Sequence, residues 1–180
     1  MSELGQLLEA VHFAAAKHKN QRRKNAESTP YINHPISVAH VLWKEGGVTD
    51  LATLQTAVLH DTVEDTDTTP EEIGRHFGSE VKDLVAEVTD DKSLSKLERK
   101  RLQIEHAAHT SGKAKLVKLA DKLDNLRDLT QATPVGWSEQ RVQEYFEWSA
   151  KVTKGLMGTN QAMEDAIEQV LNTRGVSFRE

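Results

Sequence analysis

Apolar residues recur along most of this chain at spacings of three and four, the period of an amphipathic helix. Leu4, Leu7, Leu8, Val11, Ala14 and Ala15 form one stripe of a first helix running to about Lys19. A loop follows from Asn20 to Asn33, basic at its start and carrying Ser28-Thr29-Pro30 further on. Asn33 is placed to cap the next helix, with Pro35 in its first turn and Gly46-Gly47 closing it. Thr49 or Asp50 then caps Leu51 to Leu59, a segment without a charge, as expected of a buried helix. Thr69-Pro70-Glu71-Glu72 is a capping box with proline at the first helical position, so the helix before it must already have ended.

The same period continues. Ser79 opens a helix with Val81, Leu84, Val85 and Val88 on one face, and Ser95-Lys96-Leu97-Glu98 is a second capping box that opens a basic helix. Lys115 to Leu129 carries Leu116, Leu119, Leu123 and Leu126, and Trp137 to Leu156 carries Val142, Phe146, Ser149 and Val152. A last helix starts near Asn160, buries Met163, Ile167, Val170 and Leu171, and ends at Gly175. No alternating strand, repeat or low-complexity tract interrupts the pattern. The expected fold is all-α, one domain over residues 1–180 with eight or nine helices, and one short β-hairpin in a loop is left open.

Composition narrows the function classes. There is no cysteine, which removes thiolate metal sites, disulfides and a cysteine nucleophile. The first residues lack a signal-peptide core and no apolar run reaches the ~20 residues a bilayer requires, so the expectation is a cytoplasmic protein with no membrane partner. The net charge of −5 argues against a nucleic-acid partner, so an anionic ligand must be held by a local basic pocket.

The chemistry concentrates in Leu59-His60-Asp61-Thr62-Val63-Glu64-Asp65. On one continuous helix the four ionisable side chains would share an arc of roughly 140°. Three acids and a histidine at the end of a buried helix repel one another, and a bound cation relieves that. His60 and Asp61 need partners from elsewhere. His34, just before Pro35, and Asp121, within a leucine-rich helix, are the two that stand out. The plainer alternatives are a helix-end salt bridge for His60-Asp61, a cap for His34 and a lysine pair with Lys118 or Lys122 for Asp121. Two imidazoles with two carboxylates suit manganese, iron or zinc better than calcium. Glu64 and Asp65, one turn on, are placed as general acid/base groups for a water molecule, the makings of phosphoester or phosphoanhydride hydrolysis. Arg22-Arg23-Lys24, Lys96 with Arg99 and Lys100, and Lys118 with Lys122 are the cations available to hold phosphates. Tyr31, Tyr145 and Trp148 read first as core aromatics.

These residues resemble the H…HD…D pattern of the HD-superfamily metal phosphohydrolases. Tyr31-Ile32-Asn33-His34-Pro35, His60-Asp61-Thr62-Val63-Glu64-Asp65 and Lys118 to Arg127 are similar to the hydrolase domain of the RelA/SpoT alarmone enzymes, over about residues 1–172. Within that family the chain looks most like the stand-alone, animal-type small alarmone hydrolases. The resemblance implies an HD fold and manganese-dependent removal of the 3′-diphosphate of (p)ppGpp, giving pyrophosphate and GDP or GTP. It implies one Mn²⁺ held by His34, His60, Asp61 and Asp121, with Zn²⁺ or Fe²⁺ left open by ligand type. It also implies catalysis by Glu64 and Asp65, and nucleotide contacts from Arg23, Lys24 and Asn125, with Lys96, Arg141 and Tyr145 lining the pocket. Removal of the 2′-phosphate of NADPH and a non-enzymatic alarmone sensor are the alternatives. Oligomeric state is not legible.

Overall fold

The computed structural model describes residues 1–180. In chain order the helices are α1 (Glu3–Lys17), α2 (Asn33–Lys44), α3 (Leu51–Leu59), α4 (Thr62–Asp65), α5 (Pro70–Phe77), α6 (Ser79–Glu87), α7 (Lys96–His106), α8 (Gly112–Gln131), α9 (Glu139–Leu156) and α10 (Gln161–Asn172). Nine of them have eight residues or more, α4 is a single turn, and a 3₁₀ turn at Ala107–His109 joins α7 to α8. The all-α expectation holds, and the hairpin reduces to one antiparallel bridge between Arg22 and Pro30. Backbone bonds from Arg23 N to the Thr29 carbonyl (2.8 Å) and from Tyr31 N to the Gln21 carbonyl (2.9 Å) close that loop. No helix is long and apolar enough to cross a membrane.

The uncharged segment Leu51–Leu59 owes its composition to its place. Leu54 and Ala57 join one hydrophobic cluster with Val38, Leu42, Leu119, Leu123, Phe146 and Leu171, from α2, α8, α9 and α10. Ala52, Val58 and Leu59 join a second with Ala10, Ala14, Ile73, Val81, Leu84 and Val85, from α1, α5 and α6. Packed on both sides, α3 buries every residue from Ala52 to Leu59. Its polar side chains are satisfied internally. The Thr56 hydroxyl donates to the Ala52 carbonyl at 2.7 Å, and the Gln55 amide donates to the Gln6 carbonyl at 3.2 Å.

Side-chain caps set the helix starts. Asp50 accepts from Thr53 N, Thr69 from Glu72 N, Ser95 from Glu98 N and Asn160 from Met163 N. Three starts differ from the sequence reading. Asn33 is already helical and Ile32 precedes it without a side-chain cap, because the Pro30 and Tyr31 carbonyls receive Asn33 N and His34 N in a preceding turn. α8 begins at Gly112, capped by Ser111, and α9 at Glu139, capped by Ser138. In the last two a serine ahead of the apolar stripe supplies the cap.

α9 packs tightly against the 3₁₀ turn at Gly155, where a Cβ would lie 2.7 Å from Ala107 Cβ and 3.2 Å from Ala108 N. Gly155→Ala is expected to cost about 1–3 kcal/mol through overpacking. Thermal unfolding checks this, and a melting temperature equal to or above wild type would contradict it.

Candidate metal centre and active site

The buried helix α3 does not run on through the acidic stretch. His60 keeps helical angles (φ −59°, ψ −29°), Asp61 departs from them (φ −101°, ψ 0°), and α4 starts afresh at Thr62. Two side chains hold the break. His60 Nδ1 bonds the Ala57 carbonyl at 2.6 Å and the Thr62 hydroxyl donates to the Leu59 carbonyl at 2.7 Å, occupying acceptors that a continuing helix would use. The single helical arc expected from the sequence is therefore corrected to two elements meeting at His60-Asp61. The bend leaves His60 and Asp61 facing α2 and α8, with Glu64 and Asp65 on the turn beside them.

Four side chains from three parts of the chain converge there. His34 Nε2 lies 2.9 Å from Asp121 Oδ1 and 3.9 Å from Asp61 Oδ2. His60 Nε2 lies 3.1 Å from Asp61 Oδ2 and 3.3 Å from Asp121 Oδ1. The structure thus brings together all four sequence-predicted ligands, and His34 lies within α2 rather than capping it. Asp121 does also approach Lys122, whose Nζ is 3.4 Å from Oδ2.

These residues fit a divalent cation. His60 Nε2 is buried without a hydrogen-bond partner, although its ring is fixed by the Nδ1 bond to Ala57. His34 is oriented in the same manner, with Nδ1 2.7 Å from Asp124 Oδ2, while the Ser37 hydroxyl donates to Asp124 Oδ1 at 2.5 Å. An Nδ1–H held by a carbonyl or carboxylate leaves Nε2 as a lone-pair donor directed into the cluster. Two neutral imidazoles and the Asp61 and Asp121 carboxylates balance a 2+ charge. Without the ion, protons on the imidazoles do so. Burial opposes the charge of both histidines, but the Asp121 and Asp124 carboxylates raise His34, and Asp61 and Asp121 raise His60 well above the ordinary imidazole range. Burial likewise opposes charge on Asp61 and is outweighed by His60 and His34, which keep that carboxyl below its ordinary range.

Asp61, Glu64 and Asp65 form an adjoining acidic group. Burial pushes the Glu64 carboxyl up to about 7, helped by the charges of Asp61, Asp90 and Asp65 and resisted by the Asp90 amide, which donates to Oε1 at 2.7 Å. Asp65 is paired with Lys92 at 2.7 Å. Both acids line a cavity of ≈ 170 Å³ together with His34, His60, Asp61, Asp121, Asn125 and Lys122.

Lys118 and Lys122 are the cations that line this cavity, and the sequence-predicted Arg23, Lys24, Lys96 and Arg141 are not among its lining residues. Arg23 reaches α8, its Nη2 2.5 Å from Asp128 Oδ2 and 3.3 Å from Asn125 Oδ1. Asn125 in turn donates to Asp121 Oδ1 at 3.2 Å. Lys24 is exposed, with its carbonyl receiving Val135 N at 2.9 Å. Burial and the nearby charges of Arg141, Lys24 and Arg99 lower the Lys96 ammonium. The Arg141 guanidinium lies 4.1 Å from the Trp137 ring centre, and Trp137, Tyr145 and Trp148 follow one another at 6.0 and 5.4 Å.

Some site residues lay outside the sequence reading. Tyr31 is no plain core aromatic, since its hydroxyl donates to Asp61 Oδ2 at 2.5 Å. Nor is Trp148, whose ring lies under Lys122 (4.5 Å) and Lys100 (4.8 Å) while its Nε1–H donates to the Lys100 carbonyl at 3.1 Å. Asp124 and Asp90 position His34 and Glu64. Only Asp124 carried a signal in the sequence, as a second acid three residues after Asp121 in an otherwise leucine-rich helix.

The model of the HD domain family matches residues 10–146. A mouse (Mus musculus) protein named guanosine-3′,5′-bis(diphosphate) 3′-pyrophosphohydrolase MESH1 is 65% identical over 177 residues, 98% of this chain and 99% of that one. The Drosophila melanogaster protein of that name is 52% identical over 169 residues, 94% of each. A solved structure described as a metazoan ortholog of SpoT that hydrolyses ppGpp superposes with a TM-score of 0.93 at 52% identity, covering 94% of this chain and 96% of that one. On both sequence and fold, the chain belongs to the HD domain family and, within it, to the MESH1 group.

Proposed function

We propose that this chain hydrolyses the 3′-diphosphate of ppGpp, and of pppGpp, to pyrophosphate and GDP or GTP, with one manganese ion held by His34, His60, Asp61 and Asp121. The observation that carries this reading is the buried, oriented and unpartnered His60 Nε2 facing the Asp61 and Asp121 carboxylates, beside an acid whose carboxyl is pushed up to about 7. The bound ion supplies Lewis acidity toward a phosphoryl oxygen and a lowered pKa for water.

The protein's own groups do the rest. Glu64, held by the Asp90 amide, takes a proton from the attacking water. The water oxygen bonds to the phosphorus attached to the ribose 3′ oxygen, the P–O3′ bond breaks, and the 3′ oxygen receives a proton as GDP leaves. Asp65, braced by Lys92, adds negative charge beside Glu64 and so stabilises the proton that Glu64 has taken. Arg23, Lys24, Lys96 and Arg141 neutralise the phosphates, Asn125 stands between Arg23 and Asp121, and Tyr145, packed between Trp137 and Trp148, is the aromatic assigned to the nucleoside.

The test is ppGpp hydrolysis by metal-stripped protein with Mn²⁺, Zn²⁺ or Fe²⁺ added back, resolving GDP, pyrophosphate and inorganic phosphate. Manganese-dependent pyrophosphate release supports the reading. Inorganic phosphate from NADPH with no reaction on ppGpp would replace the substrate, and nucleotide binding without turnover would leave a sensor. Lys96 has no carboxylate partner to lose, so Lys96→Ala is expected to raise KM for ppGpp about threefold to tenfold with little change in kcat, the modest value being set by its exposure. Steady-state kinetics would show the error if kcat fell instead.

A further inference from the structure

A second cavity of ≈ 380 Å³ lies behind the first. Asp90, Gln103 and Lys118 line both, so they form the wall between the two. The sequence groups Arg99 with Lys96 and Lys100 on one helix face, but the structure separates them. Lys96 lines neither cavity and feels the charges of Arg141, Lys24 and Arg99, whereas Arg99 lines the second, with His106, His109 and Lys118.

The polar groups here are not matched among themselves. The carboxylates are engaged. Glu87 accepts from Ser111 N (2.8 Å) and from the Ser111 hydroxyl (2.7 Å). Asp91 accepts from Ser93 N (2.9 Å) and its hydroxyl (2.7 Å), and Asp90 accepts from the Gln103 amide at 2.7 Å. No side-chain hydrogen bond or ion pair reaches the Arg99 guanidinium, Lys118, or the rings of His106 and His109, the two imidazoles being exposed. Arg99 Nε in particular is buried without a partner. Burial and the charge of Lys122 push the Lys118 ammonium down, against the opposing pull of Asp90, Glu87 and Asp121.

We propose that this second cavity is a binding site for a phosphate-type oxyanion, with Arg99 as its fork and Lys118, His106 and His109 as further donors. A guanidinium offers paired N–H groups at the spacing of phosphate oxygens, and the lysine and two imidazoles approach as additional donors around it. The anion is a free phosphate or pyrophosphate, or the phosphate tail of a nucleotide. Its position across the Asp90–Gln103 wall from Glu64 puts it next to, and outside, the cluster of predicted metal ligands. The site stands on these groups alone and does not depend on the substrate of the first cavity.

The experiment follows imidazole resonances by NMR as inorganic phosphate, then inorganic pyrophosphate, then GTP is titrated into the protein at fixed pH and ionic strength. His106→Asn and His109→Asn assign the signals. The expected result is a saturable shift of the His106 and His109 rings, with affinity falling roughly tenfold in Arg99→Gln and partly restored in Arg99→Lys. A response to the inorganic anions identifies a free-anion site, and a response to GTP alone identifies a nucleotide-tail site. Shifts confined to His34 and His60, no saturable shift, or shifts unchanged in Arg99→Gln overturn the proposal. If Arg99→Gln does not fold, judged by circular dichroism, Arg99→Lys carries the test, since losing the fork alone must weaken binding.

Discussion

Asp61→Ala is expected to abolish metal retention and ppGpp turnover together, lowering kcat/KM by roughly 10³-fold or more, the loss of several kcal/mol of charge stabilisation. Asp61 Oδ2, like Asp121 Oδ1, is approached by both imidazoles, at 3.1 Å from His60 Nε2 and 3.9 Å from His34 Nε2, and it also accepts the Tyr31 hydroxyl. Removing it takes away one of the two carboxylate charges that balance a divalent ion. It also leaves the Tyr31 hydroxyl without its acceptor, at a cost of about 1–3 kcal/mol in stability. Asp61→Asn separates these effects. The amide still offers Tyr31 an oxygen, so the fold is retained, but the charge is gone and metal affinity must fall with it. Elemental analysis of desalted protein, run beside the turnover assay, gives the answer. A variant that keeps one ion per chain and wild-type turnover would sink the ligand assignment.

Much of this site is legible in the sequence because its residues violate their surroundings. His60 and Asp61 follow nine residues without a charge, and Asp121 interrupts a row of leucines, so each is conspicuous against an apolar helix. The caps are legible for a related reason, since a serine, threonine or aspartate side chain satisfies an amide only three residues away. What the sequence hides depends on contacts across the chain. Tyr31 and Trp148 have the spacing of core aromatics, and only tertiary packing shows a hydroxyl on Asp61 and a ring beneath Lys122. The break between α3 and α4 is hidden because His60 and Thr62 bond backbone carbonyls with side chains that on a helix would face outward. Arg99 shows the same limit in reverse. Three residues from Lys96 on the same basic helix, it lines a cavity that Lys96 does not, and the periodicity of α7 does not say which cation faces which neighbour.

Glu64→Gln is expected to keep the ion and lose the chemistry. The amide oxygen can still accept from Asp90 N, now 2.7 Å from Glu64 Oε1, so the side chain stays in place while its ability to take a proton goes. A positioned general base contributes about 10²–10⁴-fold, and kcat should fall by that factor with KM and metal content unchanged. The pH profile adds an independent sign. A base must be ionised to act, so wild-type kcat/KM rises with pH through the Glu64 pKa. Burial and the neighbouring carboxylates place that pKa at about 7 without a cation, and the positive charge of a bound ion moves it downward. The rising acidic limb of wild type should therefore sit below pH 7 in manganese and be absent from Glu64→Gln. A limb that survives unchanged in the variant would assign the titration to another group, and with it the role of accepting the proton. Asp65 is then the remaining acid of the pair, and its Oδ1 is already engaged by Lys92 at 2.7 Å, so that contact must open before this oxygen can take the proton.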